Sequence, residues 1–256
     1  MQSGWSAEQL VSTAEVAEET GLDYLLISDH YLMPYSNSSV DTWTVLAAIA
    51  AKTKRIRIGT CVTPIPFRPP QILAKVVCTV DQISHGRVIL GVGAGWYRPE
   101  FDAYGEWSED RIRVAKTIEG LNLVIKLWTE VEPFDFAGRF YKTKGAILEP
   151  KPVQNPHPPI WFGTNGKYML KMARKYAAGW VPPVPGVSMD VYREVASALE
   201  GSAVKMKFNG TLDQIRANIE DFARMGCDGG ALTMIGPADL PPAMKKLAKE
   251  VIPSYR

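Results

Sequence analysis

Strand-length apolar runs and runs of helical period alternate along this chain from Ser6 to Glu250, and that alternation narrows the fold more than any other feature. Strand, helix and strand in succession imply parallel strands joined by crossover helices. Ser6 and Gln9 form a capping-box pattern, and Leu10, Val11, Ala14 and Ala17 recur at helical spacing as far as Gly21. Asp23 to Ser28 reads as a strand, apolar almost throughout, as expected of a strand buried on both faces. Asp41 caps the next helix, Arg55 to Val62 is the second strand, and a helix runs from about Pro69 to Ile83. The strand within Arg87 to Trp96 (RVILGVGAGW) runs into Gly91, Gly93 and Gly95, and a helix capped by Ser108 covers about Glu109 to Trp128.

Residues 133–159 interrupt the rhythm and read as an irregular insertion with a short hairpin around Phe134 to Tyr141. Alternation resumes with strands at Ile160 to Phe162, Trp180 to Val181, Val204 to Phe208 and Ala231 to Ile235. The helices between and after them are Lys167 to Ala177, Met189 to Leu199, Thr211 to Met225 and Ala238 to Glu250. Eight helices and seven core strands favour a closed TIM-type (β/α)8 barrel over an open sheet, as one barrel domain over residues 1–256 with the insertion at about 133–159. Such a barrel begins with a strand, whereas MQSGW, which precedes the first helix here, is too short and polar for one. The expectation is a barrel lacking its first strand, incomplete between the Ala231–Ile235 strand and the Asp23–Ser28 strand.

Composition removes several classes of function. The 256 residues are 46% apolar and 22% charged with a net charge of +2, and Lys and Arg are scattered, so no nucleic-acid partner is indicated. No apolar run is long enough to span a membrane, and the N-terminus has no signal-peptide pattern. Cys61, Cys78 and Cys227 are odd in number and far apart, which fits a reduced, cytoplasmic protein. Three dispersed His and three dispersed Cys lack metal-ligand spacing, so no metal site is expected, and the absence of Gly-x-Ser-x-Gly argues against a serine hydrolase.

In a (β/α) barrel the active site lies at the C-terminal ends of the strands. There fall Ser28-Asp29-His30, Gly59-Thr60-Cys61-Val62, the glycine strand and Gly163-Thr164-Asn165. These junctions suggest a cofactor at the barrel mouth. The glycine strand carries Gly-x-Gly-x-Gly with Trp96 where a dinucleotide fingerprint needs glycine, and no helix is expected until about a dozen residues later, so phosphate on a helix N-terminus is unsupported. It serves either as a backbone cradle for a planar cofactor or as a tight barrel rim. His30 reads as a proton shuttle near neutral pH, or as a structural histidine bonded to Asp29. His85, in a turn, and His157, among prolines, read as structural, while Trp43 and Trp96 fall near strand ends where they can line a pocket.

The segments SDH, RIRIGTCV, QISHGRVILGVGAGW, FAGRFYKTKGA, PKPVQNPHPPIWFG and YAAGW, in this order, closely resemble the luciferase-like monooxygenase superfamily, and within it the deazaflavin (coenzyme F-420)-dependent oxidoreductase branch. The resemblance covers residues 7–181 well and 211–253 weakly. It implies a hydride transfer between a deazaflavin and a small organic substrate. An FMN-dependent luciferase-like monooxygenase is the alternative, and a non-catalytic flavin-binding relative a further one. It also implies roles: His30 near the reactive ring, beside Asp29; a cis peptide at Cys61–Val62 backing the ring; cofactor contacts from Gly93, Ala94 and Gly95; and a phosphate-binding turn at Gly163, Thr164 and Asn165. Ser28 and Trp96 join the cofactor-binding set as neighbours of these segments. Some deazaflavin dehydrogenases carry a catalytic Glu directly after the glycine turn, where this chain has Trp96, with Glu100 displaced from that position. A homodimer formed through helices beside the barrel is the family's usual assembly.

Overall fold

A computed structural model describes residues 4–34, 36–164, 166–181, 203–208, 212–224, 229–232 and 240–255. Helix α1 (Ala7–Glu19) is capped as its sequence dictates: the Ser6 hydroxyl accepts the Gln9 N–H, and the Gln9 side chain accepts the Ser6 N–H. Strand β1 (Tyr24–Ile27), helix α2 (Thr42–Lys52, capped by Asp41), strand β2 (Arg57–Thr60), helix α3 (Pro70–Ile83) and strand β4 (Val88–Gly93) follow in alternation, with a two-residue strand β3 (Thr63–Pro64) between β2 and α3. Beyond helices α4 (Arg98–Tyr104) and α5 (Asp110–Thr129) come β5 (Phe134–Ala137), β6 (Lys142–Ala146), β7 (Ile160–Phe162), α6 (Lys167–Tyr176) and β8 (Ala177–Trp180). The described C-terminal elements are β9 (Ala203–Phe208), α7 (Leu212–Arg224), β10 (Gly229–Leu232) and α8 (Leu240–Glu250). The expected helix at 189–199 lies outside the described residues.

The strands pair in the order β1-β2-β4-β7-β8-β9-β10, every pair parallel, with β3 beside β4. The order begins at β1 and ends at β10, and among the described residues these two do not pair, which agrees with a barrel open at that seam. Helices α1 and α8 pack against each other across it. The insertion contributes the antiparallel hairpin β5–β6 outside the main sheet.

Side chains alternate across each strand. Leu25, Ile27, Ile58, Leu90, Val92, Ile160 and Phe162 face the helices and join the large core they share with them. Leu26, Cys61, Ile89, Trp161 and Val181 form a second cluster on the opposite face. That face is the barrel interior, and it places Ser28, two residues beyond Leu26, on the same side at the mouth. Full burial of each large aliphatic side chain in these clusters contributes roughly 1.5–3 kcal/mol.

Buried polar groups tie the base of the barrel together. The Arg87 guanidinium donates to the carbonyls of Ser84, Ile56, Ala50 and Thr53 and to the Thr53 hydroxyl, using all five of its N–H groups. Asp81, fully buried, accepts the N–H groups of Val153 and Gln154 and the Gln154 side-chain amide, which anchors the insertion to α3. Glu18, at the end of α1, accepts the N–H groups of Lys54, Arg55 and Ile56 ahead of β2.

Two local expectations are corrected. A short helix, α4, occupies the stretch after the glycine turn that reads as loop; Pro99 stands in its first turn, where its missing N–H costs nothing. Ser108 does not cap α5. Glu109 occupies that position without a side-chain cap bond, and Ser108 instead accepts Arg113 through its carbonyl and Lys116 through its hydroxyl.

Candidate functional site

His30 leaves the C-terminal end of β1 and meets Glu100 from the first turn of α4. Its Nδ1 lies 2.9 Å from one carboxylate oxygen of Glu100 and 3.0 Å from the other. Glu100 is fully buried, and it also accepts the Tyr31 N–H at 3.1 Å and the Leu32 N–H at 3.5 Å. The carboxylate therefore fixes both the ring and the backbone that carries it. With Nδ1 engaged, Nε2 is the ring nitrogen without a hydrogen-bond partner among the described residues. The Trp96 ring stands edge-on to the imidazole at 5.8 Å and is 57% exposed.

The alternative reading, a structural His30 bonded to Asp29, is corrected: Asp29 points the other way. Its carboxylate takes a bidentate contact from Arg68, at 2.6 and 3.1 Å, and a hydrogen bond from the Thr63 hydroxyl at 2.9 Å. Arg68 reaches on to Asp41 at 2.7 Å, and Thr63 accepts the Trp43 indole N–H at 3.1 Å. Burial pushes the Asp29 carboxyl up and Arg68 counters it; with the guanidinium in bidentate contact the two are an ion pair. Burial alone would lower Arg68, yet the Asp29 carboxylate and then Asp41 hold it above its ordinary value. Asp29 is thus a strut beneath the His30 loop. Trp43, expected near the pocket, is buried in the core and supports that strut from below.

The Cys61–Val62 peptide is cis, as the resemblance implies. The Val62 side chain occupies space that glycines leave open. A Cβ on Gly93 or on Gly163 would lie 2.6 Å from a Val62 methyl group. These two glycines admit Val62, whose methyl groups lie between the ends of β4 and β7. Gly95 has φ +81°, and a Cβ there would meet the Phe101 ring at 2.4 Å. Its absence lets α4 fold back and deliver Glu100 to His30. At the other side of the mouth, Thr164 accepts the Gly166 N–H through its hydroxyl and the Trp180 indole N–H through its carbonyl. Ala94 is partly exposed, and Asn165 lies outside the described residues.

Glu100 was not among the site residues the sequence picks out. Its signal was a lone carboxylate within a dozen residues of the glycine turn, but its partner lies 70 residues away. His85 is exposed in its turn with φ 55°, and His157 bonds the Pro158 carbonyl beside Trp128, so both are structural. Among the described residues no group of His, Cys, Asp and Glu is arranged to hold a metal ion.

The mouth fits a flat organic cofactor. Val62 offers it an apolar side chain at the ends of β4 and β7. Ser28 Oγ is buried at the interior edge of β1 and has no hydrogen-bond partner among the described residues, so it is a donor and acceptor available to a ligand.

The profile of the luciferase-like monooxygenase family matches residues 1–207. The chain is 30% identical over 230 residues to an FMNH(2)-dependent dimethylsulfone monooxygenase of Pseudomonas putida, covering 87% of this chain and 62% of that protein. It is 33% identical over 226 residues to an F420-dependent glucose-6-phosphate dehydrogenase of Amycolatopsis mediterranei, covering 84% of this chain and 66% of that one. It therefore spans less than two thirds of either relative's length. Its fold superposes on that of the monooxygenase RslO1 from Streptomyces bottropensis with a TM-score of 0.84 at 25% identity, over 98% of this chain and 95% of that one.

Proposed function

The chain belongs to the luciferase-like monooxygenase family, and from that premise we propose that it is an oxidoreductase moving a hydride between a deazaflavin and a small organic substrate. The observation that carries this reading is the His30–Glu100 pair at the C-terminal rim of the sheet. A deazaflavin bound at the mouth supplies a two-electron hydride acceptor or donor and no proton chemistry of its own at the substrate oxygen. The protein must then handle that proton. When an alcohol carbon gives up its hydride, the hydroxyl proton has to leave, and His30 Nε2 is the group to take it; in the reverse direction the same nitrogen returns it. Glu100 is the positioning residue that holds Nδ1 and so fixes the direction in which Nε2 points.

In this reading Ser28, Cys61, Val62, Ala94, Gly163, Thr164 and Asn165 hold the cofactor, while Gly93 and Gly95 act by the room they leave. Trp96 closes the rim. The similarity to an FMNH(2)-dependent monooxygenase keeps FMN as the second reading. Titration of the purified protein with each cofactor, followed by absorbance and fluorescence, tests the choice: saturable binding of the deazaflavin, tighter than FMN, is the expected result, and binding of FMN alone would overturn it.

Among the described residues no helix is long and apolar enough to cross a membrane. A cytoplasmic location is proposed with the odd number and wide spacing of Cys61, Cys78 and Cys227 as its support. A homodimer is proposed as well, supported by the exposed Ile72 and Ile83, three turns apart on α3. Sedimentation at micromolar concentration checks it, and Ile72→Glu should then yield monomer.

A further inference from the structure

We infer that the substrate is an uncharged alcohol or carbonyl compound with an apolar or aromatic face, and that Trp96 is the residue that selects it; this rests on the reading of the mouth as the reaction site. Two independent observations lead here.

The first is the rim itself. Trp96 is a large apolar side chain left 57% exposed, edge-on to His30 at 5.8 Å and tilted against Tyr97 at 5.4 Å. Tyr104, 63% exposed, extends the aromatic rim from the Tyr31 ring at 4.9 Å. Exposed aromatic surface is unfavourable in water and is relieved by a ligand with an apolar face.

The second is charge. Among the described residues, the segments leaving the C-terminal ends of β1, β2, β4 and β7 (28–34, 36–41, 61–69, 94–109, 163–164 and 166) contain two cationic side chains, Arg68 and Arg98, against six carboxylates. Arg68 is committed to Asp29 and Asp41, and Arg98 bonds Asp102. A phosphorylated or carboxylated substrate needs cations to replace its lost hydration and meets an excess of negative charge instead. The first residue of α6, Lys167, stands at the turn proposed for the cofactor's anionic end. An uncharged substrate meets no such barrier, so the aromatic rim and the acidic mouth select in the same direction.

The test uses the full chain loaded with oxidised deazaflavin, with 1-phenylethanol and glucose 6-phosphate as competing probes. Turnover and equilibrium binding are measured for the native protein, Trp96→Ala and Trp96→Phe. The native protein should favour 1-phenylethanol in kcat/KM by roughly 10²-fold or more. With the cofactor saturating, Trp96→Ala should raise KM and the dissociation constant for 1-phenylethanol roughly tenfold, and Trp96→Phe should restore most of the loss. Preference for glucose 6-phosphate, or a Trp96→Ala protein that binds 1-phenylethanol as tightly as the native one, would overturn the inference. So would cofactor loading with no binding of 1-phenylethanol at all. Failure to load the deazaflavin defeats the underlying reading and the inference together, and is told apart by the cofactor titration alone.

Discussion

Arg87 and His30 sit at opposite ends of the same parallel sheet, and they are treated differently. Arg87, just before β4, has each of its N–H groups bonded to a buried acceptor. Asp81 beside it is equally engaged, with three donors around one carboxylate. His30, just after β1, has one ring nitrogen fixed and the other free among the described residues, and Ser28 Oγ two residues away is buried with no partner. Arg87 and Asp81 are internally satisfied, have no valence left for a ligand and read as structure, although Arg57 Nε at the same end is buried without a partner among the described residues. An end with oriented but unsatisfied groups has already met the cost of ordering them and lacks only what they bind. The division follows the usual polarity of a (β/α) barrel, stability at the N-terminal face and chemistry at the C-terminal face.

This contrast can be broken at either end. Arg87→Met should cost about 3 kcal/mol or more, because it strands buried carbonyls without donors, while turnover per folded molecule stays the same. Urea denaturation reads it, and a loss below about 1 kcal/mol would mean the base is held by something else. His30→Ala should lower turnover roughly 10²-fold, which is about 2.7 kcal/mol of transition-state stabilisation, and leave the melting curve nearly unchanged. Equal turnover in a folded His30→Ala protein would remove the mouth's claim to chemistry. Glu100→Gln keeps the size and an acceptor for the Tyr31 N–H but loses the full charge facing the ring; a roughly tenfold fall in kcat with little change in KM is expected. A change confined to KM would instead place Glu100 in substrate binding.

The smallest expected effect sharpens the comparison through pH. Burial tends to raise Glu18, but the N–H groups of Ile56, Arg55 and Lys54, aided by the Arg55 charge, hold it below its ordinary value of 4.5. A carboxylate held low binds fewer protons folded than unfolded, so its contribution is complete above that ordinary value and fades as pH falls through the folded one. The stability difference between the native protein and Glu18→Gln should therefore be present at neutral pH and shrink in acid. A difference that does not depend on pH would show that the hydrogen-bond geometry, not the charge, matters there.

How much of this was legible in the chain depends on distance along it. Local signals succeeded: the Ser6–Gln9 box, the Asp41 cap and the alternation of strands and helices are decided within a few residues. Helix α4 failed because seven residues rich in aromatics carry too little periodicity to read. Ser108 looked like a cap because Ser favours that position, but its hydroxyl is drawn to Lys116 two turns on. The site mixed both cases. The sequence places His30 after an apolar strand and the glycines at strand ends, and the structure has them there, while the packing of Val62 beside Gly93 and Gly163 carries no local signal. The partners that define the site, Glu100 for His30 and Arg68 for Asp29, lie 70 and 39 residues away, and only tertiary packing brings them together.

The central claim, that the mouth moves a hydride to or from a deazaflavin with His30 handling the proton, is tested most directly by mixing the oxidised deazaflavin, an uncharged secondary alcohol and the protein without oxygen and following the cofactor's visible absorbance. The account predicts bleaching with the native protein, slowed roughly 10²-fold in His30→Ala. No bleaching with the native protein, together with an oxygenated product that forms from reduced FMN and oxygen only when the protein is present, would contradict it.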